Sequence, residues 1–336
     1  MRLASLPRIR LAHLPTPLEE APFLSAALGG PRILIKRDDC TGLALGGNKT
    51  RKLEYLIADA QAKGASVVIT CGSDRSNHCR QTAAAARVAG MKCVLVLNSK
   101  TPEPPVQGNL LLDRMLGAQI RFVGSEAERD SMMEQVASEF REHGEEPYII
   151  ANGGSDPIGA VGYVAAVFEL MEQLDELGID PSHLYTTSST SGGTHAGLAI
   201  GAAIAGATFH VQGIAIEGSE DEVRGVVLPL ANATAAYLES DARLNPHDIR
   251  IDANYVGPGY AINTDACLDA MNLLARTQAI LLDPVYTAKT MAGLIGHIRE
   301  GLLGPSDTVV FLHSGGSPAL FSDGAELLAA LERRGI

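Results

Sequence analysis

Residues 66–97 restrict the fold more than any other stretch of this chain. Ser66-Val67-Val68-Ile69-Thr70-Cys71-Gly72 is a run without polar alternation, and Lys92 to Leu97 is a second one. Between them lie a polar loop, Ser73 to Cys79, and a helix of small residues, Arg80 to Val88, closed by Gly90. Short apolar runs bounded by such turns read as strands. A strand apolar on both faces must be covered on both, as in a parallel sheet flanked by helices. The stretch is a βαβ unit, and the chain is read as an α/β protein.

The alternation continues on either side. Arg32 to Arg37 is a short strand that delivers Asp38-Asp39 into a glycine-rich turn, and a helix from Lys49 to Lys63 ends at Gly64. Helix Asn109 to Leu116, strand Ala118 to Val123, the amphipathic helix Ser125 to His143 with Gly144 at its C-cap, and strand Tyr148 to Ile150 follow. Helix Gly159 to Leu177 then leads to strand Leu184 to Thr187, and helix His195 to Gly206 leads to strand Val211 to Ile216. Strands at Ile280 to Leu282 and Val309 to Leu312 alternate with helices near 223–239, 264–276 and 287–300. With 336 residues the chain is long enough for two parallel-sheet domains. No low-complexity linker separates them, which predicts strands shared across a cleft.

Composition removes several function classes. A net charge of −12 with 4% aromatic residues and no Trp argues against a nucleic-acid surface, which needs a basic face and stacking rings. Five cysteines with no C-x-x-C pair carry no zinc spacing, so no metal site is expected, and they fit a reduced, cytoplasmic protein. The longest uncharged run, Ala196 to Thr208, is too short and too rich in Gly and Ala to cross a bilayer, so no membrane partner is expected.

Two glycine-rich stretches carry the chemistry. In Gly46-Gly47-Asn48-Lys49-Thr50-Arg51-Lys52-Leu53-Glu54-Tyr55, Asn48 suits a helix cap and Lys49 falls in the first turn. The positive helix end and partial desolvation both lower the pKa of such a lysine, making an amine able to attack a carbonyl. Read alone, the same stretch is also an ordinary surface helix start with three solvated cations. The second stretch, Ser188-Ser189-Thr190-Ser191-Gly192-Gly193-Thr194, runs from a strand into a helix. Backbone N–H groups and hydroxyls converge there on an anion, although a tight turn of small residues packs the same way. It is neither a Walker A sequence nor G-x-G-x-x-G.

The loop Ser73-Asp74-Arg75-Ser76-Asn77-His78 follows a parallel strand, where α/β sheets place ligands. Ser76 and Asn77 suit a carboxylate and a ring oxygen, or a plain helix cap; His78 suits a base or a structural hydrogen bond. Leu282-Asp283-Pro284-Val285-Tyr286-Thr287 and His313-Ser314-Gly315-Gly316-Ser317 also follow strands and bring a phenol and hydroxyls to the same side. A reactive lysine, a monophosphate cradle, an Asn and a Ser on one cleft describe a pyridoxal phosphate site.

At these residues the sequence resembles the fold-type II pyridoxal phosphate enzymes of the ACC deaminase and D-cysteine desulfhydrase group. The resemblance rests on Lys36-Arg37-Asp38-Asp39-Cys40, the Gly46 to Tyr55 stretch, Ser76-Asn77-His78, Gly193-Thr194-His195-Ala196-Gly197, Gly257-Pro258-Gly259-Tyr260, Asp283-Pro284-Val285-Tyr286 and His313-Ser314-Gly315-Gly316, in family order over nearly the full length. It implies a tryptophan synthase β-like fold, with a large cofactor-binding domain of residues 1–49 and 156–336 and a small domain of residues 50–155. The cofactor lies between them, and a homodimer is expected because relatives of this group usually are.

The same resemblance makes Lys49, rather than Lys52, the Schiff-base lysine and the base at the substrate Cα. Asn77 corresponds to the partner of the cofactor's ring oxygen, and Ser191, Gly192, Gly193 and Thr194 to the phosphate cup. Ser76 falls near the substrate carboxylate, with Asn77 and His78 beside it, and Tyr286 and Tyr260 are the aromatics at cofactor and substrate. Two positions separate members of the group: ACC deaminases typically carry Glu and Leu where this chain has Thr287 and Ser314. A hydroxyl opposite the pyridine nitrogen makes a weaker electron sink than a carboxylate, which suits β-elimination.

Departures from the pattern are Asp74-Arg75 where Gln usually precedes Ser76, Ser314 for the more usual Thr, and Ala261 after Tyr260. Arg75 either pairs locally with Asp74 or offers an anion site to a substrate such as L-cysteate. The expected activity on a small amino-acid substrate is conversion of D-cysteine to pyruvate, ammonia and hydrogen sulfide. L-cysteate sulfo-lyase, ACC deaminase, a β-replacement synthase and a cofactor-binding protein without turnover are the alternatives.

Overall fold

The computed structural model describes residues 1–99, 101, 103–322 and 324–333. Its strands are β1 (Leu18–Glu20), β2 (Arg32–Lys36), β3 (Val67–Ser73), β4 (Lys92–Asn98), β5 (Gln119–Val123), β6 (Pro147–Ile149), β7 (His183–Ser188), β8 (His210–Ala215), β9 (Arg250–Asp252) and β10 (Thr308–Leu312). They form a six-stranded sheet, β1-β2-β10-β7-β8-β9, and a four-stranded sheet, β5-β4-β3-β6. Every pairing is parallel except β1 with β2. No described strand belongs to both sheets, so the expectation of shared strands is corrected. The units join instead through helices packed against each other.

Those helices are α1 (Pro22–Leu28), α2 (Lys49–Ala62), α3 (Asn77–Val88), α4 (Gly108–Met115), α5 (Arg129–Glu142), α6 (Pro157–Leu177), α7 (Gly193–Ala205), α8 (Glu220–Tyr237), α9 (Asp265–Gln278), α10 (Thr287–Arg299), α11 (Pro318–Ser322) and α12 (Gly324–Arg333). The chain passes between the sheets along α2 and returns along α6. Gly162 on α6 sits where a Cβ would lie 2.4 Å from the Arg51 carbonyl, so glycine lets the two backbones touch.

A buried ionic cluster welds this crossing. Arg51 clamps Asp38 through Nε and NH2, both at 2.8 Å, and Glu169 through NH1 at 2.9 Å and NH2 at 2.8 Å. Lys36 adds a 2.5 Å contact to Glu169, and Tyr163 donates to Asp38 at 2.6 Å. Burial opposes the Glu169 charge, yet the Arg51 and Lys36 cations hold its carboxyl down at about 2. Two cations balance two carboxylates, so the charge is locally neutral although Arg51 and Asp38 are wholly buried.

The strand expected at Ile280 to Leu282 is absent. Helix α9 ends with Ala279 in the left-handed region (φ 56°), and the Leu281 carbonyl accepts from His313 Nε2 at 3.0 Å rather than from a neighbouring strand. Leu282 is still buried in the core, which explains its apolar signature. Helix α3 begins at Asn77 rather than Arg80, so Asn77 and His78 stand in a helical first turn. The three-residue strands β1 and β9 are too short to leave a period-2 pattern.

Candidate active site

The carboxyl ends of β3, β7 and β10 open onto one cavity of about 600 Å³, the size of a small-molecule site. Lys49, Arg75, Ser76, Asn77, His78, Ser191, Gly192, Gly193, Thr194, Tyr260, Tyr286 and Ser314 all line it, whereas Thr287, also singled out from the sequence, does not.

The turn before Lys49 is built from backbone contacts. Gly46 has φ 65°, and a Cβ there would fall 2.0 Å from the Asp39 carbonyl oxygen, so only glycine fits. Asn48 N–H donates to the Ser314 carbonyl at 2.9 Å. Contrary to the expectation from its position, the Asn48 side chain does not cap α2; Nδ2 donates across the cleft to Thr194 Oγ1 at 3.0 Å. The lysine turn is thereby tied to both the glycine loop and the loop after β10.

Burial lowers the Lys49 ammonium to about 8. Lys52 lies one turn on, is wholly buried, and is depressed further because burial is compounded by the neighbouring Lys49. Its Nζ donates to the Gly153 carbonyl at 3.1 Å and Ser155 Oγ at 3.2 Å. A Cβ on Gly193 would lie 2.5 Å from that Nζ, so Lys52 sits directly under the first residue of α7. The helix N-terminus, the hydroxyls of Ser189, Ser191 and Thr194, and a buried amine converge there. That is the donor set of a phosphate site.

Ser76 caps α3, its Oγ accepting from Cys79 N–H at 3.2 Å, which leaves the hydroxyl proton for the cleft. His78 is spent on structure. The Thr70 hydroxyl gives its proton to the Ile150 carbonyl at 2.8 Å, so His78 Nε2–H must be the donor in their 2.8 Å bond. Burial, with Lys49 and Lys52 nearby, pushes the imidazole pKa well down and keeps it neutral. Arg75 is exposed at the cavity mouth, and Asp74 accepts from Ser99 Oγ at 2.8 Å.

Tyr286 and Tyr260 share a 2.5 Å hydroxyl contact, and burial raises both phenols, Tyr260 to about 12. Asp283 organises this corner: it accepts from the N–H groups of Val285, Tyr286 and Thr287 at 2.8–2.9 Å and from Thr287 Oγ1 at 2.7 Å. Thr287 is wholly buried, its hydroxyl also accepts from Asp283 N–H, and it does not line the cavity. The sequence argument built on Thr287 and Ser314 therefore rests on Ser314 alone. Lys289, one turn along α10, donates to the carbonyls of Val256 at 2.7 Å and Gly259 at 2.8 Å, holding the loop that carries Tyr260.

Sequence reasoning passed over Lys52, Asp283 and Lys289. For Lys52 a signal existed, because residues three apart share a helix face. Comparison with known proteins places the chain in a family. The profile of a family described as Pyridoxal-phosphate dependent enzyme matches residues 9–315. The chain is 40% identical over 325 residues to D-cysteine desulfhydrase of Salmonella typhi, covering 95% of this chain and 97% of that protein. The crystal structure of an ACC deaminase homologue superposes with a TM-score of 0.90 at 35% identity, covering 97% of each chain. The processed form of threonine deaminase isoform 2 from Solanum lycopersicum matches at a TM-score of 0.69 and 18% identity over 97% of this chain and 85% of the other, a likeness of fold alone.

Proposed function

This chain belongs to the pyridoxal-phosphate dependent enzyme family, and we propose that it is a carbon–sulfur lyase converting D-cysteine and water to pyruvate, ammonia and hydrogen sulfide. The observation that carries the reading is the pairing of a pKa-lowered Lys49 with the phosphate-type cradle at the head of α7, in one cavity. The close similarity to a D-cysteine desulfhydrase supports the choice of substrate. We read residues 1–49 with 156–336 as the large domain and 50–155 as the small one. The resemblance implies a homodimer, and the cysteine usage fits a cytoplasmic setting.

Pyridoxal phosphate, when bound, supplies the electron sink that makes a substrate Cα proton acidic. Lys49 is the covalent anchor and then carries the Cα proton, a role that suits an amine depressed to about 8. Ser191, Gly192, Gly193 and Thr194 hold the phosphate, and Lys52 neutralises it: a dianion beside Lys52 reverses the desolvation that depresses the free amine. Asn77 would donate to the ring oxygen, and Ser314 would serve the ring nitrogen. Ser76 and the N–H groups opening α3 receive the substrate carboxylate, with Tyr260 and Tyr286 closing the opposite side.

Lys52→Gln removes the ionisable amine and leaves a polar, unbranched side chain one atom shorter. It is expected to weaken binding of pyridoxal phosphate to the apoprotein by about 10- to 100-fold, the worth of a hydrogen bond to a charged group. Absorbance titration measures this, and unchanged affinity places the phosphate elsewhere.

Formation of the 2-oxo acid, pyruvate from D-cysteine, L-cysteine and L-cysteate and 2-oxobutanoate from ACC, assayed in parallel, tests the substrate. D-cysteine is expected to exceed the others; activity confined to ACC or to L-cysteate overturns the assignment. The position of Arg75 at the cavity mouth favours L-cysteate as the second reading, since a guanidinium there can meet a sulfonate.

A further inference from the structure

Among the described residues, both hydrogen bonds of the Asn77 side chain fall on its oxygen. Asn109 Nδ2 donates to Oδ1 at 3.0 Å, and Arg80 NH2 donates to it at 3.4 Å. A guanidinium only donates, so the Asn77 oxygen must face the protein and its NH2 group the cleft. Asn109 is oriented by the same logic. Its Nδ2 also donates to the Arg75 carbonyl at 2.7 Å, and a carbonyl only accepts.

This arrangement leaves the Asn109 oxygen buried with no protein partner among the described residues. Folded chains seldom keep such an atom, and an apolar side chain of similar size would avoid it. What Asn109 provides instead is one N–H for the loop ahead of Ser76 and one for Asn77. Arg80 stands behind them, wholly buried and lowered by burial only to about 10, so it is a cation at neutral pH. Its NH1 and NH2 groups also donate to the carbonyls of Ala44 and Gly46, in the turn that leads to Lys49, while Nε has no partner among the described residues.

We propose that Asn109 is a positioning residue which, with Arg80, locks the Asn77 amide as a one-way donor toward the ring oxygen of the cofactor. The proposal rests on the role given to Asn77 above. Reversed, that amide would set an oxygen against an oxygen. Locked, and polarised by the guanidinium behind its carbonyl, its N–H stabilises the ionised ring oxygen.

The test is a pH titration of the visible absorbance of the pyridoxal-phosphate-loaded protein, for the unaltered chain, Asn109→Leu, Asn77→Ala and the double variant. Asn109→Leu is expected to move the midpoint in the same direction as Asn77→Ala, by about half a pH unit, and to lower kcat about tenfold with KM less affected. In the double variant Asn109→Leu is expected to add nothing to Asn77→Ala, because it acts through that residue. A purely structural Asn109 would lower the melting temperature and leave the titration in place. Asn109→Asp keeps the shape without the N–H groups and serves if the leucine variant does not fold; it is expected to give the same shift. If Asn77→Ala shifts the midpoint while both Asn109 variants titrate normally, the positioning proposal is wrong and the Asn77 role stands. If Asn77→Ala titrates normally, the Asn77 role fails and the proposal falls with it.

Discussion

Lys49→Ala is expected to yield a folded protein that does not retain pyridoxal phosphate through borohydride reduction and denaturation, whereas the unaltered chain carries the added cofactor mass. Turnover should fall by at least about a thousandfold, as for loss of a covalent catalyst. The amine also sets a pH signature. With a folded pKa of about 8, roughly a tenth of Lys49 is neutral at pH 7, some hundreds of times more than for a lysine at its ordinary 10.5. Cofactor loading of the apoprotein should thus rise about tenfold per pH unit below 8 and flatten above it. Stability follows with the sign reversed from a salt-bridged group. The folded state disfavours the charged amine, so the penalty is complete below pH 8 and disappears as pH rises through 10.5. Apo Lys49→Ala should therefore melt above the unaltered protein at pH 7, with the gap closing at alkaline pH. Retained turnover would move the covalent site to another amine, with Lys52 the nearest.

Arg51→Met is expected to cost about 3–5 kcal/mol, because it leaves the carboxylates of Asp38 and Glu169 without their main partner in a buried site. Chemical denaturation measures this. Acid sensitivity gives the independent check. Glu169 is lowered from 4.5 to about 2, so its contribution is complete above pH 4.5 and is lost as pH falls through 2. In Arg51→Met that acid-linked loss should shrink. Arg51 also anchors the helix that starts at Lys49, so the variant should release pyridoxal phosphate faster than the unaltered protein. A loss under about 1 kcal/mol would mean that Lys36 alone suffices for Glu169 and Tyr163 for Asp38.

The loops legible in the sequence were those whose function and fold coincide locally. Ser191 to Thr194 and Ser76 to Asn77 each connect a buried strand to a helix, and polar residues at such a junction have few purposes besides capping and ligand binding. Thr287 misled for the complementary reason. A hydroxyl in a first helical turn has a local acceptor four residues back, and Asp283 takes it out of the cleft. Ile280 to Leu282 misled because burial and strand pairing leave the same apolar signature, and here His313 occupies the carbonyl that a strand neighbour would use. Asn48 has the chemistry of a cap, but its amide N–H donates to a hydroxyl 146 residues away, and its oxygen caps no backbone N–H of the helix.

The sequence by itself determined the alternation of strands and helices, and with it which loops follow strands. In a parallel sheet those loops must gather at one edge, because all its strands run the same way. Only the tertiary structure decided what the gathered groups do to each other. The pKa of Lys49, the neutrality of His78, the orientation of the Asn77 amide and the placing of Lys52 under Gly193 all arise from desolvation and from contacts across long sequence separations. Water is excluded by the sum of many distant residues, so no local stretch of sequence records it.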